Sequence, residues 1–324
     1  MNMQAVAAKA LASRTEAGGI TKVMFVACGG SLAAFYPAKF LLEKESSGLR
    51  VGYFPANEFV HATPKALDQN TLVIGCSHGG NTPETVAAMK LAQSRGAATI
   101  SFTYTEGSEI TLYGDQVVRY SYGTEVVYSL KKEALGLRLA MELLQQLEGW
   151  DHYERAMESF ERFDRVVLAA REQALPAAQA FAAANRDEKV IYTIGSGASW
   201  GSAYMECICI LMEMQWIHSN CIHAGEFFHG PLEITDTATP FLLMMGDGST
   251  RGLDERAKAF LQQWGRKLYI IDVKDLGLNR LDNSVVEYFS PLLLTAVVDV
   301  YNRQLAEARQ HPLSTRRYMW KVQY

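Results

Sequence analysis

The chain has 324 residues, of which 48% are hydrophobic and 20% are charged, and its formal net charge is −4. These values suit a soluble globular protein with room for two domains, each with its own core. The negative charge and the lack of a basic run argue against nucleic acid as a partner. No apolar stretch reaches the roughly 20 residues of a membrane span, so we expect no membrane association.

Five cysteines, an odd number, lie in apolar runs of the sequence. We predict that they are buried, reduced thiols and that the protein is cytoplasmic, because disulfides are rare in that compartment. The first residues also lack the apolar region of a signal peptide. Cys207 and Cys209 are too close in sequence for a usual zinc pair, and no second pair accompanies them. We therefore expect neither a metal nor a cofactor.

The first half of the chain alternates short apolar runs with helix-like segments. Two of the helix-like segments cover residues 32–45 and 83–95. This alternation predicts an α/β fold with a doubly wound, flavodoxin-like parallel sheet. The apolar runs have the length of buried strands and cover residues 22–28, 51–55, 71–76, 98–104 and 115–120.

Two turns rich in glycine and serine follow the first and third apolar runs. They read Gly29-Gly30-Ser31 and Ser77-His78-Gly79-Gly80-Asn81-Thr82. A turn between a strand and a helix directs backbone N–H groups and the positive helix end to one point, which favours an anion. The hydroxyl groups of Ser31, Ser77 and Thr82 are further donors. The alternative is that these are turn and cap residues without a ligand.

The second half of the chain repeats this pattern. The run that starts at Lys189 lines up with the run that starts at Lys22, an offset of 167 residues (189 − 22). Such a long period indicates a duplicated domain rather than a solenoid. Strand-like runs occur at 189–194, 240–245 and 267–272, and helix-like segments at 200–216, 254–265 and 291–310.

These patterns predict two tandem α/β domains joined by helices. The predicted segments are an N-terminal helix at 1–21, a first domain with the anion site at 22–150, a helical linker at 151–186, a second domain at 187–310 and a C-terminal tail at 311–324.

The segment from Glu213 to Glu233 concentrates acids and histidines beside apolar side chains. Burial and charged neighbours move the pKa of a carboxyl or an imidazole toward neutrality, so this segment is a candidate for acid–base chemistry. Taken singly, each residue has a better structural explanation. Glu213 could be a solvated glutamate at a helix end, and His229 a buried histidine bonded to the backbone.

Together, these motifs resemble those of the sugar isomerase (SIS) domain family, in the double-domain arrangement of the isomerase half of glucosamine-6-phosphate synthase. The family's phosphate signatures, Cys-Gly-Thr-Ser and Ser-x-Ser-Gly-x-Thr, stand here at 28–31 and 77–82, with Gly79 in place of the second serine. Its catalytic segment, a glutamate and then Gly-Glu-x-x-His-Gly-Pro-Leu, stands here as Glu213 and residues 225–232. The resemblance implies that Glu213 and His229 are catalytic. It also implies that a sugar phosphate binds at Ser31, Ser77, His78, Gly80 and Thr82.

Within this family, the sequence around Glu213 and His229 resembles that of the deglycases of 6-phosphorylated fructose–amino acid conjugates, in particular those acting on 6-phosphofructose-aspartate. This resemblance implies cleavage to glucose 6-phosphate and the free amino acid, by a reversed Amadori rearrangement and aldimine hydrolysis. It also implies a homodimer in which the histidine segment reaches the partner's site. Glu226, three residues before His229, and Lys321 in the tail are candidate supporting residues.

Two other functions fit the same motifs. One is an aldose–ketose or amino-sugar phosphate isomerase that uses the same site. The other is a non-catalytic regulator that senses a sugar phosphate, which would not need the pair Glu213 and His229. We find no convincing helix–turn–helix segment for such a regulator. No amidotransferase motif precedes the repeats, which weighs against glucosamine-6-phosphate synthesis.

Overall fold

The computed structural model describes residues 2–123 and 126–323 and divides into two compact units, 1–157 and 158–324. The division falls within one long helix, α7 (Tyr153–Asn185), counted after the six helices of the first unit. The predicted domain limits remain predictions. The first and last of these limits, residues 1 and 324, lie outside the described residues. Among the described residues, no helix is long and apolar enough to cross a membrane.

The first unit contains a five-stranded parallel sheet in the order β2-β1-β3-β4-β5. This order reverses direction at β1, so the loops after β1 and β3 diverge at the carboxyl edge of the sheet, where α/β proteins bind ligands. The strands are β1 (Lys22–Ala27), β2 (Arg50–Pro55), β3 (Thr71–Cys76), β4 (Ala98–Thr103) and β5 (Gln116–Arg119).

Helices bury both faces of this sheet, which explains why its inner strands read as continuous apolar runs. Met24 of β1 belongs to a core cluster with Met89, whereas its neighbour Phe25 packs against Phe35 with ring centroids 5.3 Å apart. The helices are α1 (Met3–Ala12), α2 (Gly29–Ala33), α3 (Tyr36–Glu45), α4 (Ala56–His61), α5 (Pro83–Ser94) and α6 (Lys132–Glu148).

The second unit contains a four-stranded parallel sheet in the order β7-β6-β8-β9. The two parallel sheets with their helices confirm the predicted fold class. The strands are β6 (Tyr192–Gly195), β7 (Cys221–His223), β8 (Pro240–Met245) and β9 (Lys267–Asp272). The helices after α7 are α8 (Trp200–Met205), α9 (Arg251–Trp264) and α10 (Val286–Ala308).

The helix predicted at 200–216 is wrong in its second half. After α8 the chain continues as a π-helix, Glu206–Met212, and the backbone N–H of Glu213 donates to the carbonyl oxygen of Ile208, five residues earlier, at 3.2 Å. A π-helix is rare and is often found at functional sites, because the wider turn changes where the next side chain points. The π-helix therefore sets the position of Glu213.

Glu206, the first residue of the π-helix, is a buried carboxyl. It is 2% exposed, and its Oε2 accepts a hydrogen bond from Nδ2 of Asn302 at 2.8 Å. Burial raises the pKa of Glu206 to about 8, and the charge of Asp299 acts in the same direction. The carboxyl is therefore protonated at neutral pH in the folded protein.

We expect a Glu206→Gln variant to be more stable than the wild type at pH 8.5 but not at pH 4. Folding takes up a proton at Glu206 between its ordinary pKa near 4.5 and its raised pKa near 8, so wild-type stability falls as pH rises through that window. The neutral amide removes this loss, which is on the order of a few kcal/mol at pH 8.5. Urea unfolding at both pH values measures it. If the wild type exceeds the variant in unfolding free energy by the same amount at both pH values, the raised pKa of Glu206 is contradicted.

Candidate functional site

The loop between β3 and α5 is built around the side chain of Ser77. Ser77 is 2% exposed, and its hydroxyl oxygen accepts a hydrogen bond from the backbone N–H of Gly80 at 3.0 Å. The same oxygen lies 2.8 Å from Oγ1 of Thr82. Pro83 begins α5, and no side chain of the described residues caps its first turn. Backbone N–H groups of that turn are therefore available to an anion.

Gly80 is required by the shape of this loop. Its φ is +73°, and a Cβ there would lie 1.8 Å from Oγ of Ser108. Its carbonyl oxygen also accepts a hydrogen bond from the N–H of Ile110 at 2.8 Å. A Cβ at Gly79, in contrast, would meet nothing within 4 Å. Gly79 therefore lacks the hydroxyl donor of the serine in the family signature, and packing does not require a glycine at this position.

Ser31 lies beside this loop because β1 and β3 are paired strands. Ala27 at the end of β1 is in register with Cys76 at the end of β3, so the turns that follow start from the same edge. The Ser31 hydroxyl hydrogen-bonds the thiol of Cys76, and burial raises the pKa of that thiol. The structure thus brings Ser31 to the edge from which Ser77 and Thr82 also extend.

The side chain of His78 packs against tyrosine side chains. Its Nδ1 lies 3.0 Å from the hydroxyl oxygen of Tyr120, and its ring stacks on Tyr104 with centroids 5.3 Å apart. Burial lowers the pKa of His78, and the charge of Lys132 adds to this effect. The Tyr120 hydroxyl also hydrogen-bonds the Cys76 thiol, and a neutral imidazole carries its proton on either ring nitrogen, so the direction of the bond between His78 and Tyr120 depends on the tautomer.

The corresponding turns in the second unit are closed by carboxylates of the chain itself. The hydroxyl of Ser196 donates to Oδ1 of Asp254 at 2.6 Å, and Asp254 is 1% exposed. The backbone N–H and the hydroxyl of Ser249 both donate to Oε1 of Glu287, at 3.0 and 2.6 Å. Carboxylates therefore take the donors that a phosphate would need. Sequence reasoning missed both acids, because each is distant in sequence from its turn.

Glu213 follows the π-helix and is largely shielded from water. Its side chain is 24% exposed, and Oε1 lies 2.9 Å from Nη2 of Arg316. Burial raises the pKa of Glu213, and the guanidinium of Arg316 opposes this shift without cancelling it. Glu213 is therefore a carboxylate with more affinity for protons than an ordinary glutamate, as a general base near neutral pH requires.

Lys321, the candidate from the tail, does not contact Glu213. Its ammonium donates to the carbonyl oxygen of Arg316 at 2.5 Å. Lys321 therefore supports Arg316, which is the residue that contacts Glu213. Arg316 and Arg317 lie in the same tail, and the sequence favours Lys321 over them only by the resemblance, because the register of the tail relative to Glu213 is not visible from spacing.

His229 lies at the surface, on a tight turn after β7. The preceding Phe227 is fully buried in the core of the second unit, where its ring packs edge-on against Phe241. The backbone N–H of His229 donates to the carbonyl oxygen of Glu226 at 2.9 Å, and Gly230 has a φ of +129°. The buried phenylalanine thus holds the turn, and the imidazole of His229 is directed to solvent.

Glu226 is also exposed, and its charge acts on a different histidine. It raises the pKa of His223 against the stronger lowering by burial. In the described part of the chain, no hydrogen bond joins the side chains of Glu226 and His229, or those of Glu213 and His229. No group of three or more His, Cys, Asp or Glu side chains among the described residues could hold a metal.

Comparison with known proteins gives these features a context. A model of the SIS domain family matches residues 20–141. Fructosamine deglycase FrlB of Bacillus subtilis (strain 168) is 44% identical over 305 residues, which cover 94% of this chain and 93% of that protein. Fructoselysine 6-phosphate deglycase of Escherichia coli (strain K12) is 29% identical and covers 92% of this chain and 85% of that protein.

A solved structure is similar over the whole chain. The crystal structure of a candidate phosphosugar isomerase from Salmonella typhimurium LT2 superimposes with a TM-score of 0.97 and 48% sequence identity. The match covers 100% of this chain and 96% of that one.

Proposed function

Because the chain belongs to the SIS domain family, we propose that it is a deglycase of 6-phosphorylated fructosyl-amino acids. One observation carries the proposal. A chain 44% identical to a fructosamine deglycase combines a phosphate-suited loop in its first unit with the desolvated carboxylate of Glu213 in its second. A phosphate-binding loop and a base are the two parts that such a reaction needs.

The loop at 77–82 would hold the phosphate. The hydroxyl groups of Ser77 and Thr82 and the first turn of α5 offer donors, His78 belongs to the same loop, and Ser31 lies at the same edge. In the corresponding turns of the second unit, the hydroxyl of Ser196 and the backbone N–H of Ser249 donate to carboxylates of the chain itself. We therefore expect one phosphate site per chain.

The reaction would need proton transfers and one water. In the open-chain substrate, Glu213 removes a proton from C1, the electron pair forms the C1–C2 double bond, and the C2 carbonyl oxygen takes up a proton to give an enaminol. Return of a proton to C2 forms the C1–N double bond, and loss of the nitrogen proton gives an aldimine between C1 and the amino acid nitrogen. Water adds to C1, and breaking the C1–N bond releases glucose 6-phosphate and the free amino acid. An imidazole can move protons on oxygen or nitrogen near pH 7, which is the role we give His229.

We propose that the active form is a cytoplasmic homodimer with shared sites. The imidazole of His229 is exposed and makes no hydrogen bond with the described residues, although its turn is fixed by a buried phenylalanine. A rigid turn that presents an unpaired imidazole suits a site completed by a second copy of the chain. Neither a cofactor nor a metal is needed for proton transfers of this kind, so activity should persist in EDTA.

A substrate panel tests the proposed function. We expect glucose 6-phosphate and free amino acid from 6-phosphofructosyl-aspartate, and a kcat/KM about tenfold or more higher than for 6-phosphofructosyl-lysine. The unphosphorylated aspartate conjugate should be a poor substrate, and a Ser77→Ala variant should lose most of the preference for the phosphorylated form. Release from no fructosyl-amino acid would contradict the deglycase proposal.

Adding fructose 6-phosphate to the panel separates the deglycase from the isomerase alternative, which the 48% identity to a candidate phosphosugar isomerase supports. Interconversion of fructose 6-phosphate with an aldose phosphate, without cleavage of any conjugate, would favour that alternative.

A further inference from the structure

The C-terminal segment 311–321 lies against the residues that follow the π-helix, close to Glu213. Nε2 of Gln215 donates to the carbonyl oxygen of His311 at 2.8 Å, and the ring of His311 packs edge-on against Trp216 with centroids 4.5 Å apart. Trp216 has a φ of +56°, an unusual value for a bulky residue, so the surrounding packing must hold this conformation. These contacts fix the segment beside Glu213.

Within this segment, Arg316 is buried and its guanidinium is bound at both ends. The residue is 8% exposed; Nη2 lies 2.9 Å from Oε1 of Glu213, and Nη1 donates to the carbonyl oxygens of Leu313 and Thr315 at 2.8 and 2.9 Å. Lys321 donates to the carbonyl oxygen of Arg316 itself. The guanidinium is therefore directed at Glu213 by a defined set of bonds and is not a mobile surface charge.

The other cations near this contact are engaged elsewhere. The guanidinium of Arg317 lies over the ring of Trp216, 4.2 Å from its centroid. Arg309 donates to the carbonyl oxygens of residues 186 and 215 at 2.6 and 3.3 Å, and Lys321 is bound as described. The imidazole of His311 has a lowered pKa because of burial and the charge of Arg309, so it is neutral near pH 7. Arg316 is thus the charge that acts on Glu213.

We propose that Arg316 is a positioning residue for the deglycase reaction: its guanidinium holds the Glu213 carboxylate in one orientation and in the charged form that accepts a proton. This inference rests on the proposed function in that Glu213 is the base. A carboxylate this shielded from water would otherwise take up a proton well above its ordinary pKa. The ion pair keeps the base ionised near neutral pH while burial keeps it basic.

The sign of the effect follows from the charges. The charge of Arg316 and its hydrogen bond both lower the pKa of Glu213, so removing the guanidinium raises that pKa. Because only the ionised carboxylate can accept a proton, the acidic limb of kcat/KM against pH moves to higher pH. Losing an opposite charge in contact typically shifts a carboxyl pKa by one unit or more.

The experiment compares three variants by pH profile. We expect Arg316→Gln to move the acidic limb up by about one unit or more, and Arg316→Lys to restore most of that shift because it keeps the charge. Arg317→Leu, the matched control, removes a neighbouring guanidinium that does not touch Glu213 and should leave the limb in place. An unchanged limb in Arg316→Gln, or an equal shift in Arg317→Leu, would overturn the proposal.

A second measurement separates this inference from the proposed function. Titration of ¹³C-labelled glutamate carboxyls by NMR, with Glu213→Gln identifying the resonance, reports the pKa of Glu213 without substrate. We expect a higher midpoint in Arg316→Gln than in the wild type. If no fructosyl-amino acid is cleaved but this midpoint still rises, the deglycase proposal fails while the pairing of Arg316 with Glu213 stands. If Arg316→Gln does not fold, a midpoint in Arg316→Lys matching the wild type supports the proposal, and a raised one contradicts it.

Discussion

Replacing Glu213 with glutamine is expected to lower kcat by about two orders of magnitude or more, the usual scale for losing a general base. Glutamine keeps the size of the side chain and can still accept a hydrogen bond from Arg316, so the fold should remain. KM should change little, because the proposed phosphate contacts lie in the loop at 77–82 and not at Glu213. Steady-state kinetics with 6-phosphofructosyl-aspartate, beside a thermal melt of each protein, measures the effect.

Glu233→Gln is the matched control for this variant. Glu233 belongs to the same acidic segment but is exposed and lies on a short 3₁₀ turn after Pro231. It should retain wild-type kcat. Near-normal turnover in folded Glu213→Gln, or a loss of equal size in Glu233→Gln, would remove Glu213 from the role of base.

Local patterns in the sequence were sufficient to predict the fold class. The continuous apolar runs at β1 and β3 indicate strands buried on both faces, and glycine and serine after each run indicate turns at one sheet edge. The loop around Ser77 could be predicted for the same reason, since its donors lie within six consecutive residues. Information of this kind is local, and local spacing is what a single sequence displays.

The contacts of the proposed base and of the closed turns in the second unit are not local in sequence. Arg316 is separated from Glu213 by 103 residues (316 − 213), and Asp254 from Ser196 by 58. No periodicity links such pairs. The π-helix was missed for a different reason: its extra residue per turn does not alter the apolar character of residues 206–212, so the pattern predicts an ordinary helix. The sequence identifies Glu213 as a candidate, but its ion pair with Arg316 is visible only in the structure.

These differences also change how the two units are interpreted. The sequence suggested two similar halves, each with a glycine-rich turn after a strand. In the first unit the hydroxyl groups of Ser77 and Thr82 hydrogen-bond with each other, whereas in the second the hydroxyl groups of Ser196 and Ser249 donate to Asp254 and Glu287. The second unit instead supplies Glu213, with its ionisation set by burial and by Arg316. The proposed phosphate loop and the proposed base therefore belong to different units of the chain.

Replacing His229 with asparagine should lower kcat by about two orders of magnitude, because asparagine cannot give and take a proton near neutral pH. His229 is exposed and its turn is held by the buried Phe227, so the variant should melt at the wild-type temperature. His218→Asn, which changes another exposed histidine of the same unit, is the control and should keep full activity. Wild-type turnover in folded His229→Asn would exclude a catalytic role.

Mixed dimers of the two inactive variants test whether the site is shared. With different affinity tags on Glu213→Gln and His229→Asn, tandem purification isolates dimers that carry one of each chain. If each site takes its glutamate from one chain and its histidine from the other, one of the two sites is intact, and about half of wild-type activity should return. Pairing Glu213→Gln with a chain that carries both substitutions leaves no intact site and should give no activity. Absence of recovery in the first mixture, or a monomer by light scattering, would mean that both residues act within one chain, and the exposed imidazole of His229 would then need a partner from its own chain once substrate binds.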